Sequence, residues 1–331
     1  MNLVPSPEQR QFAAAVRDLL AASDLPAAGR AWADGDPAAG LAVWRRLGGL
    51  GVTALAVPAR WGGLDAHPAD LVVAVEELGY HAVPGPVAES IAAVPVLLSR
   101  LGLTERLAGL ASGATIATLA AAPQLPYAAD AHVAGVVLLL DGDELRDGVP
   151  EGGWTSMDPA RKVFRLRAGG RLAAGPAVAE ARARALDLGA LAGAAQLLGA
   201  GRALLDASVR YAGDREQFGH PIGRFQAVKH RLADVAIGLE FARPLLYAAA
   251  VSLFGDTPAA GRDVSAAKVA CAAAADRAAR AALQVHGAIG YAVEGGVAAL
   301  LTKVRALTPA WGTPSAHRAR VLAALADGLV S

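Results

Sequence analysis

Apolar residues recur at helical spacing along the first third of the chain, and the first helix carries a clear start signal. In the tetrapeptide SPEQ, Ser6 is placed as the N-cap, Pro7 takes the first helical position, and Gln9 closes a capping box. Helical patterns continue over residues 41–50, 69–78 and 87–101, separated by turns that contain glycine and proline. We therefore predict an N-terminal helical domain over residues 1–111, in which the apolar stripes form the core.

The spacing of the apolar positions changes over residues 112–177. Short apolar or alternating runs cover residues 115–119, 133–140 and 163–167, and each is bounded by Gly, Pro or Asp. Such runs are typical of strands rather than helices. The sequence predicts a reduced middle β domain here.

Helical periodicity returns over residues 178–331. The predicted helices span residues 178–212, 226–254, 259–289, 294–307 and 315–329. Their many alanines allow close helix approach, and a C-terminal bundle of four or five such helices is long enough to dimerise. The predicted fold class is mainly α with a small β domain.

Composition narrows the function classes. Hydrophobic residues make up 54% of the 331, enough for a sizeable core, and 31 basic residues balance 30 acidic ones. This balance gives no broad attraction to nucleic acid or anionic membrane, so any phosphate site must be local. The single cysteine, Cys271, excludes an internal disulfide and a cysteine-based metal cluster, and no clustered histidines support a metal site.

The sequence also gives no sign of a targeting or membrane-spanning segment. The N-terminal segment MNLVPSPEQRQF lacks the basic and apolar blocks of a secretion signal. Residues 188–201 are uncharged but too short to span a bilayer, and glycines and prolines interrupt the longer uncharged run at 107–129. We expect a cytoplasmic protein without a transmembrane helix.

The richest stretch for chemistry is residues 211–234, YAGDREQFGHPIGRFQAVKHRLAD. Arg215, Gln217 and Phe218 end one helical pattern, a turn with Gly219 and Pro221 follows, and a second helix begins. A guanidinium offers a planar fork of donors for phosphate oxygens, and a nearby phenyl ring can cover the bound group. The alternative for an isolated RxxF is an Arg–Asp surface pair beside a buried Phe.

The pattern RxQFGxPIxxFQxxxxxLAD in this stretch resembles the acyl-CoA dehydrogenase family. Residues 284–291, QVHGAIGY, are similar to the family's QxxGGxGY, and residues 311–318 resemble its final EGTxxxxR with the first letter changed. The N-terminal segment LGVTALAVPARWGGLDAHPADLVVAVEELG also resembles the family's first domain. The resemblance implies an FAD-dependent fold with an N-terminal helical domain, a middle sheet and a C-terminal bundle.

The resemblance also implies positions for cofactor contacts across a dimer interface. Arg215, Gln217 and Phe218 would meet the pyrophosphate and adenosine of FAD held by a partner chain. Gln284 and the backbone of Gly287 and Ala288 would approach the same moiety; Ala288 replaces a family glycine. His286 is then expected to be a spacer rather than a base.

The middle region departs from the family. Residues 121–130, AAPQLPYAAD, stand where the family has a TEPxxGSD-like loop that binds the flavin ring, without its Thr–Glu or Gly–Ser–Asp. Trp154 is not followed by the Ile and hydroxyl residue of the family's second ring-binding motif, so we interpret it as a packing residue.

The family's catalytic base, a glutamate that removes a proton beside the thioester carbonyl, is expected at one of two positions. Trp311 and Gly189 occupy these positions, and neither side chain accepts a proton. Asp187 lies two residues from Gly189, about 200° around a helix, which makes it a poor substitute. Glu294 resembles a family glutamate that is not the base, and we expect it to be a structural helix residue.

Three functions follow as expectations. The first is a short subunit without its own active site that completes the FAD site of a catalytic acyl-CoA dehydrogenase subunit, as in the heteromeric (α2β2) enzymes of bacterial steroid side-chain degradation. The second is a self-sufficient homodimeric flavoenzyme with a relocated base such as Asp187. The third is a structural or regulatory subunit that binds no flavin. The missing ring and base motifs disfavour the second, and the preserved residues around Arg215 and Gln284 disfavour the third.

Overall fold

A computed structural model of the chain describes residues 3–291 and 297–330, and it confirms the predicted mainly helical fold with a small sheet. The capping box forms, because the Gln9 backbone N–H donates to Ser6 Oγ at 3.2 Å and the Ser6 N–H donates to Gln9 Oε1 at 2.9 Å. The N-terminal helices are α1 (Pro7–Ala21), α2 (Leu25–Asp34), α3 (Ala38–Gly49), α4 (Pro68–Tyr80), α5 (Val94–Arg100) and α6 (Leu107–Ala111). A π-helical turn, Glu89–Ala93, leads directly into α5.

One mixed sheet of five strands follows. Its strands are β1 (Ala117–Ala121), β2 (Ala128–Ala129), β3 (Val136–Asp141), β4 (Glu144–Thr155) and β5 (Lys162–Ala174). The spatial order is β1-β3-β4-β5-β2, with β1 parallel to β3 and the other pairs antiparallel. Every residue of β1 is buried, whereas the long β4–β5 hairpin is largely exposed beyond Leu145.

The C-terminal bundle is built on a 39-residue helix that runs through the centre of the molecule. Its elements are α7 (Pro176–Asp214), a hairpin of β6 (Glu216–Gln217) and β7 (His220–Pro221), α8 (Gln226–Phe254), α9 (Ala260–His286), α10 (Ala298–Leu307) and α11 (Pro314–Val330). Helix α7 packs against α4, α8, α9 and α10, and residues 187–201 are buried without a break. The small side chains at Gly199 and Gly201 allow this contact, because a Cβ at Gly199 would lie 1.9 Å from the Glu76 carbonyl oxygen.

Buried ion pairs join the N-terminal helices to the bundle. Glu76 and Glu77 of α4 are each 3% exposed. Glu76 Oε1 lies 2.8 Å from Arg202 of α7 and 3.0 Å from Arg243 of α8, while Glu77 Oε1 lies 2.8 Å from Arg17 of α1. Removing one partner from such a pair leaves an uncompensated buried charge, so these contacts fix how α4 sits on the bundle.

Two predictions about elements need correction. Strand β4 was not predicted, because its sequence ELRDGVPEGGWT is rich in Gly, Pro and charge and has no apolar alternation. The hairpin after α7 was taken as a helix end and a turn, but Arg215 is already extended and two short strands flank the turn. Glu294 lies outside the described residues.

Two helices, α7 and α8, are long and apolar enough to cross a membrane by length and composition alone. The apolar window of α7 is 89% buried within the protein and that of α8 is 44% buried. Core helices have the same composition, so the window in α7 is explained by its central position in the bundle.

Candidate functional site

The hairpin between α7 and α8 presents three of the predicted cofactor residues to solvent. Arg215, Gln217 and Phe218 are all exposed, and Phe218 is 89% exposed. The turn requires two left-handed residues, Phe218 (φ 55°) and Gly219 (φ 82°). A non-glycine residue in this region is uncommon, and the turn holds the phenyl ring away from the core.

The end of α9 presents the remaining predicted cofactor residues. Gln284 lies on its last turn and is exposed, and Gly287 ends the helix with φ 61° and ψ −140°. Ala288 follows in a short 3-10 turn and is exposed as well. The Gly287 N–H donates to the Leu283 carbonyl oxygen as a helix cap, and the exposed backbone of Gly287 and Ala288 follows the exposed Gln284 amide closely in the chain.

A stacked pair of rings connects the two segments. Tyr211, on the last turn of α7, stacks on His286 with ring centroids 4.4 Å apart, and His286 Nδ1 lies 2.8 Å from the Ala282 carbonyl oxygen. His286 is buried and occupied by these contacts, which supports its interpretation as a spacer. We call the surface formed by Arg215, Gln217, Phe218, Gln284, Gly287 and Ala288 the exposed end.

The two positions that the family uses for its base lie in contact inside the protein. Trp311 is 3% exposed, and its indole covers Gly189 of α7 so closely that a Cβ at Gly189 would lie 2.2 Å from indole Cζ3. Gly193, one turn further along, would place a Cβ 3.5 Å from indole Cδ1. The glycines at 189 and 193 thus form a slot in α7 that the indole fills.

Hydrogen bonds hold Trp311 in a left-handed conformation, with φ 63°. His317 Nε2 donates to the Trp311 carbonyl oxygen at 3.0 Å, and His317 Nδ1 accepts from Ser265 Oγ at 3.0 Å. Burial keeps the pKa of His317 below its usual value, which favours this neutral tautomer. The indole is therefore fixed from both sides, by the slot and by its own backbone.

A buried lysine fixes the end of α10 just before Trp311. Lys268 of α9 is fully buried, and its Nζ donates to the Leu307 and Thr308 carbonyl oxygens at 3.2 and 2.9 Å. These are carbonyls at the helix C-terminus, which carry partial negative charge. Burial lowers the pKa of Lys268 to about 7.

Little space remains where the sheet, the π-helical turn and the bundle meet. The void beside Trp311 has a volume of about 10 Å³ and is lined by Glu89, Arg161, Gln196 and Lys303 among others. A single water molecule needs about 10–15 Å³. A tricyclic flavin ring or a thioester does not fit into this void.

A buried ion pair also lies at the junction. Lys303 Nζ of α10 lies 3.1 Å from Asp158 Oδ2 in the turn between β4 and β5, and 3.4 Å from the Val83 carbonyl oxygen. Asp158 and Lys303 are both buried. The pair therefore joins the sheet and the N-terminal helices to the bundle at this point.

Two buried carboxyls feel the charges of this region: Glu89 lines the void, and Asp130 is influenced by Arg161 and Lys303. Burial raises the pKa of Glu89 to about 6, against the opposing charge of Arg161. Burial also raises the pKa of Asp130 to about 6, although Asp130 Oδ1 accepts from the Lys162 backbone N–H at 3.0 Å. Sequence analysis missed both residues, because an isolated carboxylate between apolar neighbours carries no signal of its burial.

The Asp187 carboxylate forms an ion pair with Arg320. Both of its oxygens contact Arg320 of α11, with Nη2 to Oδ2 at 3.1 Å and a second contact between Nη1 and Oδ1. The carboxylate thus faces α11 rather than the indole. This pairing removes the feature that a relocated base needs, a free carboxylate in the pocket.

The strands that would carry ring-binding motifs are built differently from the family pattern. Residues 121–130 form the end of β1, a tight turn and β2. Trp154 stands near the end of β4, is 48% exposed, and makes an edge contact with Tyr127 at 6.0 Å between ring centroids. Trp154 packs, as predicted, but on the surface. The described residues contain no group of three or more metal-ligand side chains.

Comparison with known proteins defines the class that this fold and site represent. The model of the acyl-CoA dehydrogenase N-terminal domain matches residues 6–105, and that of the C-terminal domain matches residues 178–326. The chain belongs to the acyl-CoA dehydrogenase family. The family resemblance stated from sequence motifs is confirmed.

Particular relatives narrow the comparison. The chain is 31% identical over 299 residues to acyl-CoA dehydrogenase IpdE2 of Mycobacterium tuberculosis, covering 87% of each. Its fold is similar to a chain of the Tcur3481-Tcur3483 steroid ACAD G363A variant (TM-score 0.85, 24% identity, 98% and 99% covered). It is also similar to a chain of the ChsE4-ChsE5 complex of Mycobacterium tuberculosis (TM-score 0.84, 22% identity, 98% and 99% covered).

Proposed function

We propose that this chain is the non-catalytic subunit of a heteromeric, FAD-dependent acyl-CoA dehydrogenase and completes the FAD site of a catalytic partner. The observation that carries the proposal is the contrast between the intact, solvent-facing Arg215 segment and the interior position where Trp311 fills the slot at Gly189. One half of a cofactor site is present, and the other half is closed.

The exposed end fits the ADP portion of an FAD that another chain holds. Arg215 would form charge-assisted hydrogen bonds to the pyrophosphate, and Phe218 would shield it from water. Gln284 and the backbone of Gly287 and Ala288 would approach the same ADP moiety, with the Gly287 N–H itself donated to the Leu283 carbonyl oxygen. When bound, the flavin supplies the hydride acceptor of the reaction; this chain's residues bind and orient its distal part.

The junction does not fit the flavin ring, so no chemical step is assigned to this chain's interior. Its void holds one water at most, and Trp311 and Gly189 stand at both base positions. Indole has no basic lone pair at neutral pH, so proton abstraction from the thioester falls to a glutamate of the partner. Each catalytic site then belongs to a pair of unlike chains.

Relatives support a substrate class and an assembly. IpdE2 is an acyl-CoA dehydrogenase, and the similar solved structures include a steroid ACAD and a complex of two differently named chains. We propose a steroid side-chain acyl-CoA thioester as substrate and an α2β2 assembly. The substrate would bind to the partner, because the described part of this chain offers no cavity beside Trp311 for an acyl chain.

The experiment compares the chain alone with the chain paired with its catalytic partner. The partner is the acyl-CoA dehydrogenase chain, encoded beside this one or co-purified with it, that has a glutamate at either base position. We expect no stoichiometric flavin on the lone chain, and both flavin and acyl-CoA oxidation in the pair. A lone chain with bound FAD and turnover would instead favour a self-sufficient enzyme.

A further inference from the structure

A wide groove lies beside the exposed end. It has a volume of about 820 Å³ and lies between the first turns of α8, the last turns of α9, the end of α10 and the start of α11. Five arginines line it, Arg231, Arg277, Arg280, Arg305 and Arg318. We call it the basic groove.

The groove concentrates positive charge on a nearly neutral protein. Two aspartates, Asp234 and Asp276, also line it, so the excess is three positive charges, whereas the whole chain carries +1. Asp276 is already paired with Arg280 at 2.7 Å and with Arg305 at 2.9 Å. Arg231, Arg277 and Arg318 form no ion pair within residues 3–291 and 297–330.

The floor of the groove is made of small side chains. Ala227 of α8 and Ala272, Ala273 and Ala281 of α9 line it. Arg277 reaches across this floor, since its Nη1 lies 3.5 Å from the place of a Cβ on Gly238 of α8. A small-residue floor lets another backbone approach closely while the arginines flank it.

The groove adjoins the exposed end, because α9 contributes residues to both and α8 starts shortly after the hairpin. Helix α8 begins directly after the hairpin that carries Arg215, and Arg280 is one turn, about 6 Å, before Gln284 on α9. A partner chain that brings the distal part of its FAD to Arg215 and Gln284 therefore comes within about one helical turn of the groove.

We propose that the basic groove is a docking surface for an acidic segment of the catalytic partner subunit. This inference rests on the proposed function. Covering arginines that lack partners is costly unless the incoming surface supplies carboxylates. Carboxylates from the partner would pair with Arg231 and Arg277, and complementary charge would speed association and select the correct partner.

The test reverses charge in the groove without touching the exposed end. We compare Arg231→Glu/Arg277→Glu with a matched control, Arg30→Glu/Arg45→Glu, which reverses two exposed arginines of α2 and α3. The dissociation constant of the subunit pair is measured at 50 mM and about 500 mM NaCl. We expect the groove variant to bind at least about tenfold more weakly at low salt and to lose most of its salt dependence, and the control to bind like wild type.

Other results overturn the inference in distinguishable ways. Equal affinity of the groove variant and wild type would show that the partner does not use the groove, while flavin binding by the assembled pair would leave the proposed function intact. Equal weakening of the control would point to net charge alone. If ADP, titrated into the lone chain, bound wild type but not the groove variant while assembly was unaffected, the groove would be a nucleotide site. Failure of the wild-type chains to assemble would contradict the proposed function itself.

Discussion

The exposed end and the closed junction, which the motif resemblance assigns to one cofactor region, have opposite character. At the exposed end, Arg215 and Phe218 keep the family's letters and face solvent, and they contribute little packing. At the junction, Trp311 is packed against glycine, and Lys303 forms a buried pair with Asp158. On the proposed function, the exposed end serves a contact outside the chain, whereas the filled slot stabilises the fold.

The comparison separates stability from binding. Substitutions at the junction should change the free energy of unfolding of the lone chain and leave the outer contacts in place. Substitutions at the exposed end should do the reverse.

The largest effects are expected at the contact between Gly189 and Trp311, and Gly189→Ala tests it first. The new methyl group would lie 2.2 Å from an indole that hydrogen bonds hold in place, and overpacking of this kind costs about 3 kcal/mol of unfolding free energy. The measurement is chemical denaturation of the lone chain. Gly29→Ala in α2, where the methyl group would meet nothing within 4 Å, is the matched control and should be neutral or slightly stabilising.

Substituting Trp311, the residue that Gly189 contacts, extends this measurement to a double-mutant cycle. Trp311→Ala alone should cost about 3–5 kcal/mol, because it leaves a cavity. In that background Gly189→Ala should cost nothing, since the clash is gone. If Gly189→Ala destabilised both backgrounds equally, the indole would not be what fills the slot.

The next effect belongs to the exposed end. Arg215→Ala should weaken FAD binding by the assembled pair about ten- to a hundredfold, because it removes charge-assisted hydrogen bonds worth about 1.5–3 kcal/mol. Arg215→Lys should recover only part, because a point charge does not reproduce the planar fork. The measurement is titration of FAD into the stripped complex, with assembly checked by size.

A neighbouring arginine supplies the control for this prediction. Arg224 is exposed in the same connection between α7 and α8, and Arg224→Ala should leave FAD affinity unchanged. Unchanged affinity in Arg215→Ala as well would reduce Arg215 to a surface residue without a cofactor role.

Sequence patterns predicted most of the helices and strands, but they did not predict that side chains fill the junction. The bounds of α8 follow from apolar spacing and turn residues on either side, and they agree with the predicted 226–254. Strand β4 was not predicted because its composition favours a loop. Hydrogen bonding to β3 and β5 is what makes this segment a strand. Tertiary pairing overrode local preference there.

The site shows the same division. Motif spacing predicted Arg215 and Gln284 as cofactor contacts, which stays a prediction, and the sequence alone showed non-basic residues at 189 and 311. That these two residues pack against each other is a tertiary fact that no local spacing encodes. The burial of Lys268 and Glu89 had no signal either, because neither has a charged neighbour nearby in sequence to mark a pair.

A third prediction concerns pH and the junction. The pKa of Glu89 is raised to about 6 in the folded protein from an ordinary 4.5, so folding binds a proton and its stabilising contribution is lost as pH rises through about 6. Glu89→Gln carries no such charge. The variant should be more stable than wild type by about 2 kcal/mol above pH 7, and the advantage should shrink towards pH 4.

The pH series is measured as the difference between variant and wild-type unfolding free energies, so that the parallel titration of Asp130 cancels. Glu105→Gln, at an exposed position, is the control and should show no such trend. A Glu89→Gln advantage that did not depend on pH would mean that the glutamate is not charged in the folded protein above pH 7.

The smallest change in stability is expected for Phe218→Ala. Since the ring is 89% exposed, its removal should alter the unfolding free energy of the lone chain by no more than about 0.5 kcal/mol. Alanine also has a Cβ, so the substitution does not relieve the strain of the left-handed turn. In the assembled pair, however, the ring would cover the pyrophosphate, so flavin affinity should fall several-fold. Phe241→Ala, at a ring 75% exposed on α8 and away from the exposed end, should leave flavin affinity as it is. A loss of stability in the lone Phe218→Ala chain would place the ring in a packing role and remove the distinction between the two regions.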